Sequence, residues 1–167
     1  MHKRRKSREI ALQILYGLDT QEGELGDAIA LFWANFDNTA GEMSEEIRRF
    51  SNELVEGTWK NRLEIDRLIS GNSENWSIGR MSRVDRSILR MAIYELLFCP
   101  EVPPKVALNE AIDLGKIYGS ENSGSFINGI LDALYEKLPG KNEAGENAGG
   151  NGQFCRTGPL GEPEKQS

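Results

Sequence analysis

The chain has 167 residues, a formal net charge of −6, 38% hydrophobic and 28% charged residues, which suits one soluble globular domain or two small subdomains. A single histidine (His2) and two cysteines (Cys99 and Cys155) at no ligand spacing give no basis for a metal site, a cofactor or a disulfide framework, and make a reducing, cytoplasmic location the expectation. No stretch approaches the roughly 18 apolar residues that a membrane span requires.

The charge is unevenly placed. Lys3, Arg4, Arg5, Lys6 and Arg8 put five cations into the first eight residues, whereas residues 9–138 carry 12 basic and 22 acidic side chains. A cationic arm on an anionic body is a feature that binds polyanions. The arm and the apolar run after it do not make a secretory leader. Glu9 interrupts their junction, Gln13 lies inside the run, and no small-x-small cleavage site follows.

Residues 8–18 predict an amphipathic helix with Ile10, Ile14, Leu15 and Leu18 on one face and Ser7 as its N-cap. The cations then sit at or just before a helix N-terminus, where the dipole disfavours them. That placement fits a frayed, solvated terminus or a phosphate-binding arm, and the clustering against the dipole favours the arm. A second helix is expected from about Asp27 to Asn35, then a polar connection over 36–41. Ser44 caps a long helix expected to run to Gly71-Asn72, with Gly57 inside it to admit a close neighbour.

Trp76 and Ile78 are expected to plug a core edge. Ser82-x-x-Asp85 is a capping box that opens a helix through Leu97. Pro104 suits the first position of the next helix, which ends near Tyr118-Gly119. Asn122 or Ser123 caps the last helix, whose core face is Ile127, Ile130, Leu131, Leu134 and Leu138. Residues 139–167 hold seven glycines and three prolines and are expected to be a disordered tail. No segment alternates with period two, so the expected fold is all-α, with six or seven helices in two packed subdomains over residues 1–138.

Catalytic patterns are missing. There is no Gly-rich phosphate loop and no Gly-x-Ser-x-Gly elbow, and the only imidazole lies in the arm. The carboxylate pairs Glu45/Glu46 and Glu110/Asp113 read as solvated helix charges. The turn at 118–126 is polar and Gly-rich and ends in Phe126. That ring either rims the core or stacks on a base beside the helix N-terminus.

Four blocks carry a resemblance: Arg8-Glu9-x-Ala11-Leu12-Gln13-x-Leu15-Tyr16, Val84-Asp85-Arg86-x-x-Leu89-Arg90-x-Ala92-x-Tyr94-Glu95-Leu96, Pro104-Lys105-Val106-Ala107-Leu108-Asn109-Glu110-Ala111, and Phe126-Ile127-Asn128-Gly129-Ile130-Leu131-Asp132. In this order, over residues 3–138, they resemble the bacterial NusB family of transcription antitermination factors. The resemblance implies a non-enzymatic, all-helical adaptor that binds single-stranded boxA RNA of ribosomal RNA transcripts. It does so with the small-subunit ribosomal protein NusE, in an RNA polymerase elongation complex. It also implies that Arg4, Arg5, Lys6 and Arg8, with Lys3 in the same arm, contact RNA together with Asn122 and Phe126. Asn122 stands where relatives often carry Asp. Tyr16, Asp85 and Arg90 fall near the partner-protein surface, and Asn109, Asn128 and Gly129 are expected to tie helices together. Some relatives form homodimers. RNA cytosine methyltransferases can carry a similar N-terminal domain, but no cofactor loop or catalytic domain follows here.

Overall fold

The computed structural model describes residues 2–20, 23–40, 43–73 and 77–138. Seven α-helices follow in order: α1 (His2–Thr20), α2 (Leu25–Ala40), α3 (Glu45–Lys60), α4 (Arg62–Gly71), α5 (Arg83–Phe98), α6 (Pro104–Tyr118) and α7 (Ser123–Lys137). A 3₁₀ turn, Ile78–Arg80, precedes α5. No strand occurs among the described residues. Helices α1, α2 and α3 pack together, α4 to α7 form a second group, and α5 lies against α1 and α3 to join them. One continuous apolar core runs through both groups.

Helix α5 is the centre because its sequence is apolar nearly all round. Ile88, Leu89, Met91, Ala92, Ile93, Leu96 and Leu97 are all buried, as expected of a helix packed on several sides. The Ser82 hydroxyl accepts the Asp85 N–H at 3.1 Å, which fixes its start. The reciprocal half of the expected capping box is missing, since Asp85 Oδ1 is buried without a hydrogen-bond partner. Pro104 opens α6 at its first position, where its missing N–H costs no helical bond.

Three boundaries differ from the sequence expectation. Helix α1 begins at His2, so Ser7 is inside it and is no cap. Its hydroxyl donates to the Lys3 carbonyl at 3.0 Å and also lies 3.1 Å from the Ile47 carbonyl of α3. Small Ser7 and Ser51 let these two helices approach closely, with Ser51 Oγ 3.3 Å from the Ser7 carbonyl. Helix α2 continues through the expected connection to Ala40. Asp37 is held there by Arg48 at 2.9 Å, and the Arg48 guanidinium also lies over Trp33, 4.4 Å from the ring centroid.

The third difference is a break in the long helix at Asn61. The Asn61 side chain donates to the Gly57 carbonyl at 2.8 Å, and Arg62 takes the Trp59 carbonyl at 2.8 Å. These side chains satisfy carbonyls at the end of α3, and α4 begins at Arg62. Gly57 does admit a close neighbour, the Tyr94 ring of α5. Ile78 packs against the core as expected, while Trp76 and the tail from 139 lie outside the described residues. Asn109, Asn128 and Gly129 are exposed and do not tie helices together. No helix among the described residues is long and apolar enough to cross a membrane.

Candidate nucleic-acid interface

The five cations of the arm lie on the first two turns of α1, and carboxylates from other helices offset the unfavourable dipole there. Lys3 pairs with Glu46 of α3 at 2.9 Å, which holds the Glu46 carboxyl below its usual range. The Arg4 guanidinium lies over Phe50, 3.8 Å from the ring centroid, a cation–π contact, and its Nη1 is buried without a hydrogen-bond partner. Arg5 forks onto Glu110 of α6 (Nε–Oε2 3.2 Å, Nη2–Oε1 3.1 Å) and also reaches Asp113 Oδ2 at 3.0 Å. Lys6 is exposed and makes no ion pair among the described residues.

Arg8 differs from the others. Its side chain is 4% exposed and donates twice to Glu95 of α5, at 2.7 and 3.0 Å. Burial pushes the Glu95 carboxyl up, with Arg8 opposing that shift. Arg8 was expected on the RNA. Here Nε and Nη2 are held by Glu95 and the side chain is almost fully buried, which sets Arg8 apart from the exposed cations of the arm. The Glu110/Asp113 pair corrects a second expectation, since these groups clamp Arg5 and are not free solvated charges.

The expected aromatic end of the surface is built at the turn between α6 and α7. Ser123 Oγ accepts the Ser120 N–H at 2.8 Å, and the Ser123 N–H donates to the Ser120 carbonyl at 3.1 Å. Asn122 is exposed and caps α7 through its backbone alone, its carbonyl accepting the Phe126 N–H at 3.0 Å. Phe126 is half-buried and packs against the core. Both observations are compatible with the two roles considered for it.

Helix α6 connects this turn to the arm. Its residues Glu110 and Asp113 hold Arg5, and its residues Ile112 and Lys116 lie against Gly124 of α7. A Cβ on Gly124 would sit 3.0 Å from Lys116 Cγ, and one on Gly115 would sit 2.7 Å from Ile127 Cδ1. The two glycines therefore set how closely α6 and α7 approach. The arm and the α7 turn grip α6 within about one helical turn of each other.

Of the residues expected at the partner-protein surface, Arg90 is tied to the far end of α1 through Asp19. Asp19 of α1 accepts from Arg86 and, at 3.3 Å, from Arg90, and Arg90 forks onto Asp66 of α4 at 2.7 and 2.8 Å. Tyr16 is exposed, whereas Asp85 and Arg90 are both 8% exposed. Arg90 is thus a strut between three helices, and of the three residues only Tyr16 is exposed. Glu53, Cys99 and Glu101 bring three donor atoms within 4.8 Å, a grouping not visible in the sequence spacing. Two exposed carboxylates beside a buried thiol, with no imidazole, do not define a metal centre.

Sequence reasoning missed Glu46, Glu95, Glu110, Asp113 and Phe50 as the partners of the arm. Only Glu95 carried a signal. It interrupts the apolar stripe of Ile88 and Ala92 on α5, and a charge at a core position calls for a buried partner.

The architecture defines a small all-α protein of two helical groups sharing α5, with a cationic helix start braced against α6. The NusB family model matches residues 5–136, and the chain belongs to the NusB family. It is 61% identical over 148 residues to the transcription antitermination protein NusB of Syntrophus aciditrophicus, covering 89% of each chain. A solved structure of T. maritima NusB superposes with a TM-score of 0.71 at 36% identity, covering 80% of this chain and 91% of that one. A structure described as antitermination factors NusB and NusE in complex with dsRNA gives 0.71 at 28% identity, covering 81% and 98%.

Proposed function

We propose that the chain is a non-enzymatic transcription antitermination factor of the cytoplasm. It binds boxA RNA of ribosomal RNA transcripts together with NusE, within an RNA polymerase elongation complex. Residues 1–138 form the RNA-binding domain. The observation that carries this reading is the joining, through α6, of the cationic start of α1 to the Asn122–Phe126 turn, in a chain of the NusB family.

The roles divide by chemistry. Lys3, Arg4, Arg5 and Lys6 meet phosphates, which gives affinity and salt dependence without sequence information. Asn122 and Phe126 meet bases, through an amide and a ring face suited to unstacked single-stranded RNA. Arg8 positions the arm. Tyr16 and Asp85 face NusE at the other end of α1, and Arg90 holds the helices that present them.

Titration of boxA RNA at two salt concentrations tests the first role. The Arg4→Ala/Arg5→Ala/Lys6→Ala variant should bind at least tenfold more weakly with a shallower salt slope. Unchanged affinity and slope would remove the arm from the interface. Phe126→Ala should lose affinity for boxA and little for a scrambled RNA, and an equal loss for both would remove base stacking.

A further inference from the structure

The arm carries its own competitor for phosphate. We infer that Asp113 of α6 sets the RNA affinity of Arg5 by occupying the position a backbone phosphate would take. This inference rests on the reading of the arm as a phosphate-binding element.

Arg5 and Arg8 make their ion pairs with Glu95, Glu110 and Asp113, and Arg4 also acts on Glu95 through its charge. Glu95 takes two donors of buried Arg8, and Glu110 takes two donors of Arg5 while lying 3.9 Å from Arg8 Nη1. These two carboxylates are the shielded ones, Glu95 at 2% and Glu110 at 17% side-chain exposure. Asp113 is the most exposed of the three carboxylates.

Its geometry sets it apart as well. Asp113 makes a single contact to Arg5, Nη2–Oδ2 at 3.0 Å, and both side chains are close to half exposed. A carboxylate oxygen held this way stands where a phosphate oxygen would accept from the same N–H. The pair lies on the side of α6 between the arm and Lys116, which touches the α7 turn. An arriving phosphate must displace Asp113 or sit beside it, and either outcome weakens binding. Lys3–Glu46 is a second exposed pair of the same kind, but it lies on α3 and leaves Arg5 untouched.

Asp113→Asn keeps the shape and removes the charge. An exposed charge at contact distance changes affinity by about three- to tenfold. The variant should therefore bind single-stranded RNA about three- to tenfold more tightly. One more phosphate contact should steepen the log–log salt slope by about 0.7. A scrambled RNA should gain as much as boxA, because phosphate contacts read no sequence.

Three comparisons decide the matter, each on the full-length chain. Glu56→Gln removes one negative charge from an exposed site on α3. An equal gain there would reduce the effect to net charge and overturn the inference. In an Arg5→Ala background the Asp113→Asn gain should vanish, and its persistence would overturn the inference too. If Arg5→Ala weakens binding while Asp113→Asn matches wild type, Asp113 is not the competitor but the arm reading stands. If Arg5→Ala binds as wild type, the arm reading itself fails.

Discussion

Arg8 of α1 and Glu95 of α5 form a two-bond ion pair across 87 residues of sequence, at 2.7 and 3.0 Å, with both side chains under 5% exposed. Removing one member of such a pair leaves an unpaired buried charge. Arg8→Met should cost about 3–5 kcal/mol, measured by urea unfolding. Arg8→Met with Glu95→Leu should recover most of that loss, because an apolar pair of similar volume can replace a buried ion pair. If the single variant unfolds at the wild-type urea concentration, Arg8 does not anchor the arm.

The contrast between Arg8 and its neighbours shows what the sequence could convey. The cation cluster, the α5 cap at Ser82 and the proline start of α6 depend on residues close together in the chain, and all three were legible. The arm's partners were not, because Arg5 meets Glu110 and Asp113 at separations of 105 and 108 residues. Nothing in local spacing distinguishes those carboxylates from solvated ones. Helix ends were hidden for a similar reason. Ser7 resembles an N-cap, yet the helix extends past it because Glu46, Glu110 and Asp113 supply the negative charge that the dipole requires. The break at Asn61 arises from side chains taking carbonyls, which the apolar pattern through Thr58 and Ile65 does not reveal.

Asp19 makes stability depend on pH at the opposite end of α1. Burial alone would raise its pKa, but the hydrogen bonds and charges of Arg86 and Arg90 outweigh it and bring the carboxyl below its ordinary 3.8. A carboxyl depressed in the folded state stabilises it when ionised. That contribution is complete above the ordinary value and disappears as pH falls through the lower folded value. Asp19→Asn should therefore be destabilised by about 1–3 kcal/mol at pH 7. The deficit should hold down to about pH 5 and narrow below pH 4. Urea titrations across that range check it, and a deficit that widens on acidification would contradict the assignment.

The partner face makes a separate prediction. Tyr16 is 42% exposed, and Asp85 keeps one buried carboxylate oxygen without a partner. If NusE docks there, Tyr16→Ala and Asp85→Ala should each weaken NusE binding by about tenfold or more, the cost of losing an anchoring side chain. Both should leave RNA binding by the isolated chain near wild type, because the cations lie at the other end of α1. Loss of RNA affinity in Tyr16→Ala would mean that the two ends are not independent. Calorimetry with each ligand separates the cases.

Two helical glycines should respond to alanine with opposite signs. Alanine at an exposed mid-helix glycine ordinarily gains about 1 kcal/mol. Gly129 meets that condition on α7, with ordinary helical backbone and no atom within 4 Å of an added Cβ. Gly129→Ala should raise the unfolding free energy by about that amount. Gly57 carries the same propensity gain, but an added Cβ would overlap the Tyr94 ring. That ring cannot move aside cheaply. It stacks on Phe98 with centroids 5.4 Å apart, and burial holds its phenol well above the usual range. Overpacking of this kind costs about 1–3 kcal/mol, so Gly57→Ala should be net destabilising. Tyr94→Leu should relieve part of the loss, since the clash lies with the ring's outer edge. Equal gains at both glycines would show that Tyr94 does not lie across α3, and the close α3–α5 crossing would need another cause.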